Sequence, residues 1–259
     1  MCGCAPRRSG AGPELRSSTA ADCFGSTVVG ADLDGDGLGD LAISAWGDRK
    51  GTGAVYLVPG PWTGDAVVDD VAVARVVGSR EGAWGGQAIS AGDGDGAGHA
   101  DLAVGAPSDA ASFSAGGWVG VFRGPLAGDI GFARAPLQVR PEAERDRLGE
   151  AVALDGDLDG SGLADLVIGA PRLNGWPAPG RVHLFFDARD GVWSAADSDG
   201  VLFGAPSDAA GWSLASGEDL DHDGLDELLV GAPLDSAELR SGGKAYLWSG
   251  ASLIEGLGG

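Results

Sequence analysis

The sequence predicts an all-β fold assembled from four similar units, and three observations carry that prediction. An acidic, glycine-rich loop occurs four times at nearly constant spacing. Each copy runs directly into a short apolar strand. No segment holds helical periodicity over about 12 residues with caps at its ends.

The loops read Asp32-Leu-Asp-Gly-Asp-Gly-Leu-Gly-Asp40, Asp93-Gly-Asp-Gly-Ala-Gly-His-Ala-Asp101, Asp157-Leu-Asp-Gly-Ser-Gly-Leu-Ala-Asp165 and Asp219-Leu-Asp-His-Asp-Gly-Leu-Asp-Glu227. Measured on the final carboxylate of each, they lie 61, 64 and 62 residues apart, which is the period of a repeat architecture. A strand precedes each loop, at 24–30, 84–90, 148–154 and 212–216, the first three containing glycine. A second strand follows at Leu41–Ala45, Leu102–Ala106, Leu166–Ala170 and Leu228–Ala232, apolar on both faces and therefore requiring cover on both. A third, alternating strand comes at Ala54–Val58, Trp118–Phe122, Arg181–Phe185 and Lys244–Trp248, and a weaker fourth at Ala74–Val77, Leu137–Arg140 and Val201–Phe203. Four short strands per unit with doubly covered inner strands predict stacked four-stranded blades, a β-propeller. Residues 1–12 read as a flexible tail and 13–259 as one propeller domain, with units at about 24–77, 84–140, 148–203 and 212–250. The fourth unit shows no fourth strand, whereas Pro13–Ser17 stands at the offset where one belongs. The expectation is that 13–17 completes the last blade and closes a four-bladed ring, the alternative being part of a larger ring.

Glycine supplies 48 of 259 residues while 44% are hydrophobic, a mixture of tight turns and short strands rather than disorder. The net charge of −21 makes nucleic acid or an anionic membrane surface an unfavourable partner. No apolar run is long enough to span a bilayer. The start, Met1 to Arg8, lacks the apolar stretch of a signal peptide, although Gly3-Cys4 has the form of a lipoprotein processing remnant. Cys2, Cys4 and Cys23 are too few for a disulfide framework and read as incidental thiols.

The loop spacing points to calcium. Ca²⁺ takes six to eight hard oxygens in a forgiving shell. Side-chain oxygens at loop positions 1, 3, 5 and 9, with a backbone carbonyl at 7, supply one, and glycine at 6 permits the turn that presents that carbonyl. The candidate ligands are Asp32, Asp34, Asp36, Leu38 (carbonyl) and Asp40; Asp93, Asp95, His99 (carbonyl) and Asp101; Asp157, Asp159, Ser161, Leu163 (carbonyl) and Asp165; and Asp219, Asp221, Asp223, Leu225 (carbonyl) and Glu227. Ala97 removes a ligand from the second loop and Ser161 weakens the third, so the expected order is first and fourth, then third, then second. An EF-hand needs a carboxylate at position 12 and flanking helices, but position 12 here is Ile43, Val104, Ile168 or Val230 within a strand.

Phe24-Gly25 before the first loop, and Gly105-Ala106-Pro107, Gly169-Ala170-Pro171 and Gly231-Ala232-Pro233 after the others, resemble FG-GAP repeats. These are the propeller units of integrin α-subunit heads and of many bacterial surface proteins. The resemblance covers about residues 13–250. It implies a β-propeller with calcium in the loops between first and second strands, up to four Ca²⁺ ions, and an adhesive or scaffolding role. Three features depart from the family pattern: Ser44-Ala45-Trp46 replaces Gly-Ala-Pro, Trp212-Ser213 replaces Phe-Gly, and Glu227 replaces the final Asp. Most relatives have seven blades, so the four units are read either as a closed ring or as part of a seven-bladed one.

Catalytic signatures are thin. There is no G-x-S-x-G, no G-x-x-x-x-G-K-[ST] and no H-E-x-x-H, and His99, His183 and His222 read as structural. The face opposite the acidic loops, at 46–51, 108–116, 172–179 and 234–242, is the candidate binding face, with Trp176 its leading aromatic contact. The functional expectation is a non-enzymatic, calcium-binding, extracellular or cell-surface propeller that binds a surface protein; the alternative is a carbohydrate-binding module or accessory domain of a polysaccharide-acting enzyme. Extracellular calcium levels would fill such loops, whereas resting cytosol would leave their charges uncompensated.

Overall fold

In a computed structural model of the chain, residues 12–20, 22–112, 114–171, 179–187, 189–234 and 242–257 are described. The first unit holds β1 (Leu15–Arg16), β2 (Val28–Ala31), β3 (Asp40–Ala45), β4 (Ala54–Val58), β5 (Ala66–Val67) and β6 (Ala74–Val77). The second holds β7 (Ala88–Gly92), β8 (Asp101–Gly105), β9 (Val119–Phe122), β10 (Gly128–Gly131) and β11 (Leu137–Arg140). The third holds β12 (Ala151–Ala153), β13 (Leu166–Ala170), β14 (Arg181–Phe185), β15 (Gly191–Ser194) and β16 (Gly200–Phe203), and the fourth β17 (Ser213–Ala215), β18 (Leu228–Ala232) and β19 (Lys244–Trp248).

Each unit is an antiparallel meander in chain order: β2-β3-β4-β6, β7-β8-β9-β11, β12-β13-β14-β16 and β17-β18-β19. Of the doubly apolar second strands, β18 leaves Leu229 exposed on one face, whereas β8 and β13 are buried at every residue. Their alternate side chains enter two different cores. Ala42, Leu57 and Val76 of the first unit meet Leu102, Trp118 and Phe122 of the second. Ala103, Val121 and Leu137 meet Val152, Leu166 and Ile168 of the third, and Val167 and Leu184 meet Leu228 and Val230 of the fourth. The four sheets therefore lie face to face in chain order, as blades do. Glycine sets how closely they approach. A Cβ on Gly105 would fall inside contact distance of the Gly149 carbonyl of the next unit, and one on Gly169 would meet the Gly211 carbonyl likewise.

Five features differ from the sequence expectation. The first two sheets gain a fifth strand from the following unit, β10 lying parallel to β6 and β15 parallel to β11. The fourth sheet has three strands. Leu15–Arg16 pairs parallel with β5 of its own unit rather than with β19. It thus stands to β5 as β6 stands to β10, in the place an outer strand of a preceding unit would hold. The segment after β19 is a helix, Gly250–Leu257, which buries Leu253 in the core between units three and four. Finally, Cys23 is disulfide-bonded rather than an incidental thiol, since one pair needs no framework.

The two ends of the array are finished differently. Ile43, Tyr56 and Val58 on the outer face of the first sheet are covered by Leu15, Phe24, Trp62 and Val68. On the fourth sheet, Leu229 and Leu247 share the outward face and are 40% and 60% exposed.

Candidate metal centres

All four acidic loops join first to second strands, at the same edge of each sheet. Every loop is shaped by its own carboxylates. At position 1, Asp32 accepts from the Gly35 and Gly37 amides (2.8 and 2.9 Å), Asp93 from Gly96 and Gly98 (2.7 and 2.8 Å), and Asp157 from Gly160 and Gly162 (both 2.8 Å). Asp219 accepts from Asp223 and Gly224 (both 3.1 Å). At position 3, Asp34, Asp95, Asp159 and Asp221 each accept the amide two residues on. At position 5, Asp36 and Asp223 repeat this toward Leu38 and Leu225, and the Ser161 hydroxyl accepts more weakly from Leu163 (3.3 Å). Such turns curl the chain and gather the acids.

The position 9 acids are buried: Asp40 at 3% exposure, Asp101 at 0%, Asp165 at 1% and Glu227 at 3%. One oxygen of each receives the position 2 amide, from Leu33, Gly94, Leu158 and Leu220. The other receives an amide from the connection after the third strand in units one to three: Gly60 (2.8 Å), Gly124 (3.0 Å) and Asp187 (3.3 Å). In unit four, Glu227 Oε1 is buried without a hydrogen-bond partner among the described residues. Consecutive loops are also joined, the position 8 amides of Ala100, Ala164 and Asp226 donating to the position 1 carbonyls of Asp32, Asp93 and Asp157 (2.8, 3.0 and 2.9 Å).

Carboxylate oxygens converge within 4.8 Å in each loop: Asp32, Asp34 and Asp36; Asp93, Asp95 and Asp101; Asp157, Asp159 and Asp165; Asp219, Asp221, Asp223 and Glu227. The fourth loop gathers its full acidic set, whereas in the first Asp40 lies outside the cluster and serves the backbone. In the first, third and fourth loops, hard oxygens crowded with no ion pair among the described residues, together with the partnerless Glu227 Oε1, fit a divalent cation of calcium type.

The FG-GAP repeat family matches residues 24–58 and 210–248. The chain carries FG-GAP repeats and is integrin-α-like. It is 32% identical to integrin alpha-PS5 of Drosophila melanogaster over 159 residues, covering 57% of this chain and 15% of that protein. It is 32% identical to integrin alpha-X of Homo sapiens over 184 residues (70% and 15%), and 26% identical to integrin alpha pat-2 of Caenorhabditis elegans over 227 (82% and 18%). The chain thus spans less than a fifth of the length of these relatives.

The FG-GAP loops carry electrostatic strain. Burial, then the charges of Asp159 and Asp157, pushes the Asp165 carboxyl up to about 7. Partial desolvation and the charges of Asp40, Asp36 and Asp32 likewise raise Asp34. Burial raises Asp101 against the pull of Arg123. A carboxyl whose folded pKa lies above its unfolded value of about 3.9 binds its proton more tightly in the folded state, so its stabilisation is full at low pH and lost as pH rises toward 7. In EDTA the protein is therefore expected to melt higher at about pH 5 than at about pH 7.5, with Asp165→Asn narrowing the gap. Melting curves that do not depend on pH in this window would contradict it.

Arg123 is the residue near the loops that the sequence did not flag; it follows β9 and binds Asp101 (Nη1 to Oδ2, 2.6 Å). On the opposite face, Trp46 packs on Trp84 at 5.5 Å. Within 108–116, Asp109 is buried and accepts from the Ser79 hydroxyl and the Ala111 amide. Trp176 and most of 172–179 and 234–242 lie outside the described residues. His183 is buried in β14 beside the Ser198 hydroxyl (3.3 Å), and burial lowers its pKa, keeping it neutral. Among the described residues, no helix is long and apolar enough to cross a membrane.

Proposed function

We propose that this chain is a non-enzymatic, calcium-stabilised β-propeller module that binds a protein partner outside the cell, in adhesion or assembly. The observation that carries the reading is the fourth loop, where the carboxylates of Asp219, Asp221, Asp223 and Glu227 converge and the buried Glu227 Oε1 has no hydrogen-bond partner among the described residues. Calcium at the first, third and fourth clusters would compensate charges that the fold otherwise concentrates. The integrin-α likeness supports an adhesive role and gives no support to catalysis. The Cys23 disulfide fits an oxidising compartment.

We also infer that the array continues into a ring. The exposed face of the fourth sheet, with Leu229 and Leu247, and the placement of β1 as an outer strand support cover by a further unit, either the first unit of the same chain or additional blades. Leu33 and Leu158, at position 2 of their loops, are fully buried by the next unit, while Leu220 at the same position is 56% exposed.

Adhesion of intact cells to the immobilised chain tests the function. Binding in millimolar calcium that is lost in EDTA and after protease shaving of the cells is expected. Binding that survives protease but not glycosidase treatment would move the reading to glycan recognition. Adhesion that calcium does not affect would separate the partner from the metal.

A further inference from the structure

Two departures of the second loop from its three counterparts bear directly on metal binding. Its position 5 is Ala97, and the residue directly after its third strand is Arg123, where the other units carry Pro59, Phe186 and Ser249. These two changes meet in space. The Arg123 guanidinium donates from Nη1 to Asp101 Oδ2 at 2.6 Å and from Nε to Asp190 Oδ1 at 3.0 Å, and it stands 4.0 Å from Asp95 Oδ2. Its side chain is 13% exposed and that of Asp101 is 0% exposed. Asp95 and Asp101 are two of the three acids that converge in this loop. The guanidinium is a permanent cation that already occupies a lone pair of the buried carboxylate. A divalent ion sharing Asp101 would lie beside a fixed like charge and would have one ligand fewer than in the first or fourth loop.

We propose that Arg123 takes the place of the metal in the second loop, so that the chain holds three divalent ions and this loop keeps its shape without one. The proposal rests on the calcium reading of the other three loops. It explains why the loop with the poorest ligand set persists in register: Asp93 still organises Gly96 and Gly98, and Asp101 still receives Gly94 and Gly124, around an internal positive charge. Breaking a buried pair on one side leaves the other charge uncompensated, so loss of Arg123 should be felt locally and strongly.

Hydrogen exchange on the full chain, with calcium and with EDTA, tests this. Removing calcium should speed exchange in peptides spanning 32–40, 157–165 and 219–227 at least tenfold and leave 93–101 within about twofold. Arg123→Gln should speed exchange in 93–101 under both conditions and leave the calcium response of the other loops intact. A calcium response in 93–101 equal to the others, or no local effect of Arg123→Gln, overturns the proposal. If no loop responds to calcium, the calcium reading fails and the Arg123→Gln comparison alone decides the role of the guanidinium. Should Arg123→Gln not fold, the ion count decides. Three ions are expected on the native chain, and four on Ala97→Asp/Arg123→Ser, which gives the second loop the acid at position 5 and the serine found in unit four. Four ions on the native chain overturn the proposal.

Discussion

Metal-stripped protein is expected to melt at least about 15 °C below the calcium-loaded form. A ligand that binds only the folded state at about a hundred times its Kd stabilises by about 2.7 kcal/mol per site. Three such sites contribute about 8 kcal/mol, and in a chain of this size each kcal/mol moves Tm by about 2–4 °C. The carboxylate clusters are the source of that affinity, because without a cation their mutual repulsion opposes the folded loops. Scanning calorimetry in EDTA and in millimolar calcium measures the gap. Magnesium should restore little of it, since it prefers a rigid octahedral shell and parts reluctantly with water. Equal melting temperatures in the two conditions would reduce the loops to acidic turns.

The second large effect belongs to the glycines between sheets. Gly169→Ala is expected to destabilise by about 3 kcal/mol or more, because the new methyl group would be driven into the backbone carbonyl of Gly211, and neither strand can yield without parting the cores on both sides. Gly105→Ala should behave alike against Gly149. Gly231 holds the corresponding place in the fourth unit, but the added methyl would meet chiefly the Ser213 hydroxyl, which can rotate away. Gly231→Ala should therefore cost less than about 1 kcal/mol if the fourth sheet stands uncovered. A loss matching that of Gly169→Ala would be the signature of another unit seated on it. Urea unfolding of the three variants makes the comparison, and a Gly169→Ala chain as stable as the native one would refute the face-to-face packing.

Much of this arrangement is legible in the sequence because the signals are local and repeated. Alternating acids with glycine at position 6 mark each loop, and Leu102–Ala106 or Leu166–Ala170 can only be strands covered on both faces. Other parts depend on contacts that local pattern does not encode. Gly128–Gly131 and Gly191–Ser194 carry no distinctive apolar alternation; they are strands because their backbones find the open edges of β6 and β11. Leu15–Arg16 sits at the offset of a fourth strand, yet its pairing with Ala66–Val67 is a tertiary choice. The Gly250–Leu257 helix is too short to show periodicity and exists by docking Leu253. Arg123 lies 22 residues from Asp101, and only the register of β8 against β9 brings them together.

Of the candidate ligands, the carboxylates converge as the spacing predicts, apart from Asp40, whose oxygens are taken up by the amides of Leu33, Asp34 and Gly60. That capping role at position 9 explains why burial, rather than exposure, marks the last acid of every loop. It also identifies Glu227 as the exception, since its longer side chain leaves one oxygen unclaimed.

Calcium titration of the metal-stripped, full-length chain, followed by calorimetry and repeated on Asp219→Asn/Glu227→Gln, tests the central claim most directly. Saturable uptake of three ions by the native chain, and of two by the variant, is the expected result. No saturable uptake by the native chain, or the same uptake by both proteins, would contradict the account.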